Sequence, residues 1–194
     1  SQSQLKNGDL ILFDVGAEFG YYSADISRTI PINGKFSSAQ ATIYQIVLDA
    51  QNSGIKKAIP GNTLGDVHSA AIDKIYKGLK KIGIIQKKET LIENKYKLIA
   101  PFFPHATSHW LGLDVHDLGL YSKDKQLTKL TPGMVITVEP GLYFSNKLKI
   151  PKKYQGIGVR IEDDILITKT GNNNLSKRLP RTIKEIEKVL AQKS

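Results

Sequence analysis

Three short polar pairs fix where this chain turns helical. Ser37 and Gln40, Thr63 and Asp66, and Thr182 and Glu185 each stand three residues apart. At that spacing an N-cap hydroxyl and the third helical side chain satisfy each other's backbone N–H groups. Behind the first pair, Ile43, Ile46, Val47 and Ala50 recur at helical spacing until Pro60-Gly61. Behind the second, Val67, Ala70, Ala71, Ile75, Leu79 and Ile82 make an inward stripe, and Gly83 is the stop. Behind the third, Ile183, Ile186, Val189 and Leu190 point inward. Elsewhere the pattern is extended. Asp9–Val15 reads as a strand, as does a stretch from about Tyr21 to Ile30 that stops at Pro31. Residues 84–100 read as a linker with some short structure. From Pro101 the chain is β-rich, with strands at Met134–Glu139, broken by Pro140-Gly141, and at Gly158–Ile167. Hairpin, helix, helix, linker, strands, helix is the order of an α+β fold: an antiparallel sheet with helices on one face.

Composition narrows the chemistry. The 194 residues, 40% hydrophobic, suffice for one domain with a sizeable core, and no second domain is expected. No apolar run approaches the ~18 residues of a membrane span, and Ser1–Lys6 holds no signal-peptide core. There is no cysteine, so any metal must be held by oxygen and imidazole; a reducing cytoplasm fits. The net charge is +10, and eight lysines lie between Lys74 and Lys97. Few aromatics sit among them, so they read as a solvated surface rather than a nucleic-acid platform. Neither nucleic acid nor membrane is expected as a partner.

Asp14 and Asp25 are eleven residues apart, an odd spacing that would put them on opposite faces of one strand. A hairpin whose turn centres on Phe19-Gly20 sets them directly opposite one another on one face. Their neighbours Leu12, Phe13, Val15 and Ile26 imply a half-buried setting, where two like charges are costly. Two exposed aspartates are one reading; a pair of divalent cations between them is the other. Three of the four histidines, His105, His109 and His116, fall within twelve residues, a clustering that favours a site over isolated core histidines. His68 stands alone on the second helix and is given no role. Glu139 ends an apolar strand before Pro-Gly. Glu162 lies mid-strand, with Arg160 on the same face by alternation, so a plain ion pair of the two is also open. The set is hard, suited to Mn²⁺, Co²⁺, Fe²⁺ or Zn²⁺. No serine-hydrolase elbow and no phosphate-binding glycine loop accompanies it.

The series Asp14, Asp25, His109, Glu139, Glu162 resembles the five metal ligands of the pita-bread metallopeptidases, in order and in local context: Val-Glu-Pro-Gly at 138–141 and Arg-Ile-Glu-Asp at 160–163. Ser-His-Trp-Leu-Gly-Leu-Asp-Val-His-Asp at 108–117, Pro101-Phe102-Phe103 and Gly156–Arg160 are most similar to the aminopeptidase P family. The resemblance runs from about Lys6 to the last helix. It implies two divalent metal ions, Mn²⁺ first, and removal of the N-terminal residue from peptides with proline second. Asp14 would chelate one ion, Asp25 and Glu162 would bridge both, and His109 and Glu139 would complete the other site. Glu139 would be general acid and base for a water activated between the ions. His116 would steady the oxyanion or substrate, and His105, Tyr143 and Arg160 would shape the proline pocket. The family's usual His-Gly-Leu-Ser-His is here His105-Ala106-Thr107-Ser108-His109.

The resemblance also implies that residues 1–194 are the C-terminal portion of a pita-bread catalytic domain. A preceding recognition domain and the first part of the pita-bread domain would then be partners missing from this chain. Alone, the chain is expected to be unstable or inactive. Self-association into a homo-oligomer is expected of the whole enzyme. Two other functions fit the same residues: a pita-bread binding module without catalysis, and a prolidase that cleaves only Xaa-Pro dipeptides.

Overall fold

The computed structural model describes residues 4–192. All three capping boxes are formed. They open α1 (Ser38–Lys57), α2 (Leu64–Lys81) and, after a short α3 (Ile92–Ile99) inside the expected linker, α4 (Ile183–Ala191). Gly83 follows α2 at a φ of +77°, the left-handed conformation that ends a helix at low cost to glycine. Val67, Ala71, Ile75 and Leu79 are buried as expected, but Val189 is 41% exposed. On α4 only Ile186 is fully buried, because that helix rests on α1 along a narrow stripe.

The strands are β1 (Leu10–Val15), β2 (Glu18–Phe19), β3 (Tyr22–Ser23), β4 (Ile26–Pro31), β5 (Ser122–Lys123), β6 (Gln126–Leu127), β7 (Val135–Val138), β8 (Gly141–Tyr143), β9 (Gly158–Arg160), β10 (Asp163–Ile167) and β11 (Asn172–Asn174). Every pairing is antiparallel. β1 pairs with β4, β8 with β9, and β7, β10 and β11 form a three-stranded sheet with β10 central. Helices α1 and α2 pack on each other, and α1 also lies against β7, β8 and β9. One core joins α1 and α2 to Leu142, Phe144, Val159 and Ile161. A second, around Val67, Trp110, Leu130, Ile136, Val138 and Ile165, sits under the three-stranded sheet. No helix among the described residues is long and apolar enough to cross a membrane.

Two strand expectations need correction. The first hairpin turns at Gly20-Tyr21, with φ of 56° and 69° at the two residues, and Phe19 faces Tyr22. Two-residue turns with positive φ at both central positions match the twist of their strands. The register is therefore two residues away from the expected one, and Asp14 faces Ser27, not Asp25. Shifts of two preserve side-chain parity, so Asp25 stays on the face of Ser27. The second hairpin strand also breaks at Ala24-Asp25. There Ser23 N–H goes to the Gly112 carbonyl at 2.8 Å, and Asp25 N–H goes to Asp164 Oδ2 at 3.3 Å.

The expected strand Gly158–Ile167 is likewise two strands in different sheets. It breaks at Ile161-Glu162, where the Glu162 N–H donates to the Ser27 carbonyl at 3.1 Å. The setting is more open than Phe13 and Val15 implied, since these are 43% and 61% exposed.

Candidate metal centre

Each break in the strands carries a charged residue of the expected site. Asp14 is near the end of β1, Asp25 precedes β4, Glu139 follows β7, and Glu162 lies between β9 and β10. His109 comes from an extended segment laid along β7 by three rungs: Leu111 N–H to Val135 O at 3.1 Å, Thr137 N–H to His109 O at 3.1 Å, and Glu139 N–H to Thr107 O at 2.8 Å.

His109 is the centre of the cluster. Its Nδ1 lies 3.0 Å from the Trp110 carbonyl, which can only accept, so Nδ1 carries a proton and Nε2 is the atom turned toward the carboxylates. Nε2 is 3.3 Å from Asp25 Oδ2 and 3.3 Å from Glu139 Oε1. Donor atoms of Asp25, His109 and Glu162 all lie within 4.8 Å of one another. Burial disfavours the imidazolium, but Asp25, the Trp110 carbonyl and Glu139 outweigh it and carry His109 up to about 9.

Glu162 is 1% exposed. Its Oε2 accepts from Ser27 Oγ at 2.6 Å, while Oε1 is buried and has no hydrogen-bond partner. Burial, with Glu139 nearby, pushes the Glu162 carboxyl up to about 8. Burial also raises Glu139, which accepts from Thr137 Oγ1 at 3.3 Å. Asp14 is the most open of the five. Its Oδ2 takes Arg160 NH2 at 2.5 Å, and its Oδ1 is 3.3 Å from Ser27 Oγ. The Arg160–Glu162 ion pair left open above is thus replaced by Arg160–Asp14. Arg160 and Glu162 share a face only on a continuous strand, and the chain breaks between them.

The remaining expected residues line the approach. His105 Nε2 is 2.9 Å from the Tyr143 hydroxyl, and its Nδ1 is 4.0 Å from Glu139 Oε2. Burial lowers His105 and raises the Tyr143 phenol. The His116 ring stands edge-on to His109, with centroids 4.5 Å apart. His116 borders a cleft of about 460 Å³ together with Asp14, Gly16, Asp25 and Val115.

Sequence reasoning missed four residues here. Ser27 Oγ touches Glu162, Asp14 and Arg160 Nε, the last at 2.8 Å. Asp164 is 5% exposed, and burial, against the Asp25 N–H it accepts, carries it up to about 7. Thr137 Oγ1 accepts the His109 N–H at 3.1 Å. His68 Nδ1 lies 2.7 Å from Thr107 Oγ1. Ser27, Asp164 and Thr137 each stand two residues from Asp25, Glu162 or Glu139, the strand spacing that shares a face.

Five carboxylates (Asp14, Asp25, Glu139, Glu162 and Asp164) thus gather around the Arg160 guanidinium and the His109 imidazole, with His105 at the edge, 4.0 Å from Glu139. The unpartnered Glu162 Oε1 and the His109 Nε2 that faces Asp25 and Glu139 are ligand atoms aimed at one another, in a set made only of oxygen and imidazole nitrogen. The residues fit divalent metal ions.

Comparison with known proteins agrees with that chemistry. Residues 1–169 match metallopeptidase family M24. Xaa-Pro aminopeptidase of Escherichia coli K12 is 44% identical over 192 residues, which are 98% of this chain and 43% of that protein. The structure of aminopeptidase PepP from Pseudomonas aeruginosa superposes with a TM-score of 0.92 at 39% identity, covering 98% of this chain and 43% of that one. Zinc-substituted Escherichia coli aminopeptidase P in complex with product gives 0.91 at 42% identity, covering 99% and 43%. The fold is therefore that of part of aminopeptidase P, and the chain spans less than half the length of these relatives.

Proposed function

The chain belongs to metallopeptidase family M24, and we propose that it carries the dinuclear metal centre of an Xaa-Pro aminopeptidase. The observation that carries this reading is His109, whose Nδ1 is fixed by the Trp110 carbonyl while Nε2 lies 3.3 Å from two carboxylates. Asp14, Asp25, His109, Glu139 and Glu162 are the proposed ligands. Asp25 and Glu162 would serve both ions, and Mn²⁺ is the proposed metal for so hard a donor set.

Divalent cations held by these residues would acidify a water and polarise the scissile carbonyl. The chain's residues do the rest. Glu139, held by Thr137, takes the water proton and passes it to the leaving proline nitrogen; burial keeps its affinity for that proton above an ordinary carboxylate's. His116, beside His109 and on the cleft, donates to the oxyanion. His105 and Tyr143, bonded to one another, form with Arg160 the wall against which proline packs. A neutral His105 suits an apolar ring, and burial holds its pKa low.

Hydrolysis of Xaa-Pro dipeptides and longer Xaa-Pro peptides tests this, with Mn²⁺ added and a chelator as control. The chain is assayed alone and together with the segment that precedes the matched region in its relatives. Metal-dependent release of the first residue from the longer peptides is expected. Cleavage of dipeptides only would make it a prolidase, and no hydrolysis in either arrangement would sink the peptidase reading.

A further inference from the structure

The segment that carries His105 and His109 has no helix or strand of its own. Its last rung on β7 is the bond from Glu139 N–H to the Thr107 carbonyl. Whatever fixes Thr107 therefore fixes the backbone of Glu139 and, two residues on, of His109. Thr107 is fully buried, and its hydroxyl needs a partner. That partner is His68 on α2, at 2.7 Å. The His68 ring is itself held, edge-on to Tyr96 at 5.5 Å and tilted against Phe103 at 5.8 Å. Burial lowers its pKa, so it meets the hydroxyl as neutral imidazole. The hydroxyl and the imidazole are a matched pair.

We propose that His68 is a positioning residue for the metal centre: through Thr107 it sets the register of the His105–His109 segment on β7, and so the spacing of His109 and Glu139. This rests on the metal-centre reading above. His68 touches none of the expected ligands; its hydrogen bond to Thr107 is its polar link to the segment, while Phe103, stacked between it and His105, gives only an apolar one.

A double-mutant cycle tests this in the protein that carries this sequence, with Mn²⁺ titrated by calorimetry and thermal melts recorded in parallel. His68→Ala and Thr107→Val should each weaken Mn²⁺ binding by roughly tenfold, the lower end for residues that orient metal ligands. Combined, they should do no more than either alone. His68→Asn, which presents an amide where Nδ1 was, should restore most of the affinity; loss of packing alone would not be rescued this way. Where peptide hydrolysis is measured, kcat should fall with KM nearly unchanged.

If His68→Ala lowers the melting temperature but binds Mn²⁺ like the parent, or if the two effects add, the inference is wrong. Should His68→Ala fail to fold, His68→Asn against Thr107→Val decides: parental affinity in Thr107→Val overturns the proposal. Failure of the parent itself to bind Mn²⁺ overturns the metal-centre reading instead.

Discussion

Ser27 Oγ donates to Glu162 Oε2 at 2.6 Å, from a position directly opposite Asp14 in the β1–β4 register. The same oxygen lies 2.8 Å from Arg160 Nε, so one hydroxyl ties two proposed ligands to a proposed substrate residue. Ser27→Ala leaves both oxygens of the buried Glu162 carboxylate without a donor. The expected cost is about 1–3 kcal/mol in stability and roughly tenfold in Mn²⁺ affinity. Chemical denaturation and metal titration read the two separately. Unchanged values in both would mean that Ser27 is a bystander.

Gly16 is the close-approach point of the same hairpin. A Cβ there would lie 1.7 Å from the Ala24 carbonyl oxygen and 2.6 Å from its carbon, both backbone atoms that cannot swing aside. Gly16→Ala must push apart the strands that carry Asp14 and Asp25. An overpacking cost of about 1–3 kcal/mol lowers the melting temperature by roughly 2–12 °C in a chain of this size. Mn²⁺ affinity should fall with it. A melting temperature equal to the parent's would show that the hairpin tolerates separation.

What could be read in the sequence was local. The capping boxes at Ser37, Thr63 and Thr182 lie within one turn of the helices they start, so three residues sufficed to place them. The histidine cluster was legible because one short segment carries it. The hairpin register was not: Gly20-Tyr21 and Phe19-Gly20 are both plausible turns, and a shift of two residues leaves every side chain on its face. The break at Ile161-Glu162 was hidden as well. No glycine or proline marks the spot within Arg160–Asp164, and what breaks the strand is a bond from Glu162 N–H to Ser27 O, a residue far away in sequence. For the same reason Ser27 and His68 looked ordinary, since each acts on a partner that only the fold brings near.

His116 stands beside His109 but outside the carboxylate cluster. As an oxyanion donor it should matter to the transition state and not to the cations. His116→Ala is expected to lower kcat by about 100-fold, with Mn²⁺ stoichiometry and affinity as in the parent. Steady-state kinetics beside metal analysis of the dialysed protein separate these. A variant that loses its Mn²⁺ would make His116 part of the ligand set.

His109 at about 9, Glu162 at about 8 and Asp164 at about 7 all sit above their ordinary values of 6.5, 4.5 and 3.8. Each holds its proton more tightly in the folded chain than in the unfolded one. Through these three groups the folded state binds more protons from about pH 4 to about pH 9 and stability falls as pH rises; His68 and His105, lowered by burial, oppose this only below and around their ordinary 6.5. A divalent cation competes for the same atoms, so its binding releases protons and tightens with rising pH. Chelator-treated protein is thus expected to melt at a lower temperature at about pH 9 than at about pH 6, while the gain in melting temperature from saturating Mn²⁺ widens over that interval. Calorimetry in buffers of different ionisation enthalpy should show proton release near neutral pH. A chelator-treated melting temperature that climbs through this window would mean that His109 and Glu162 do not hold their protons as the geometry requires.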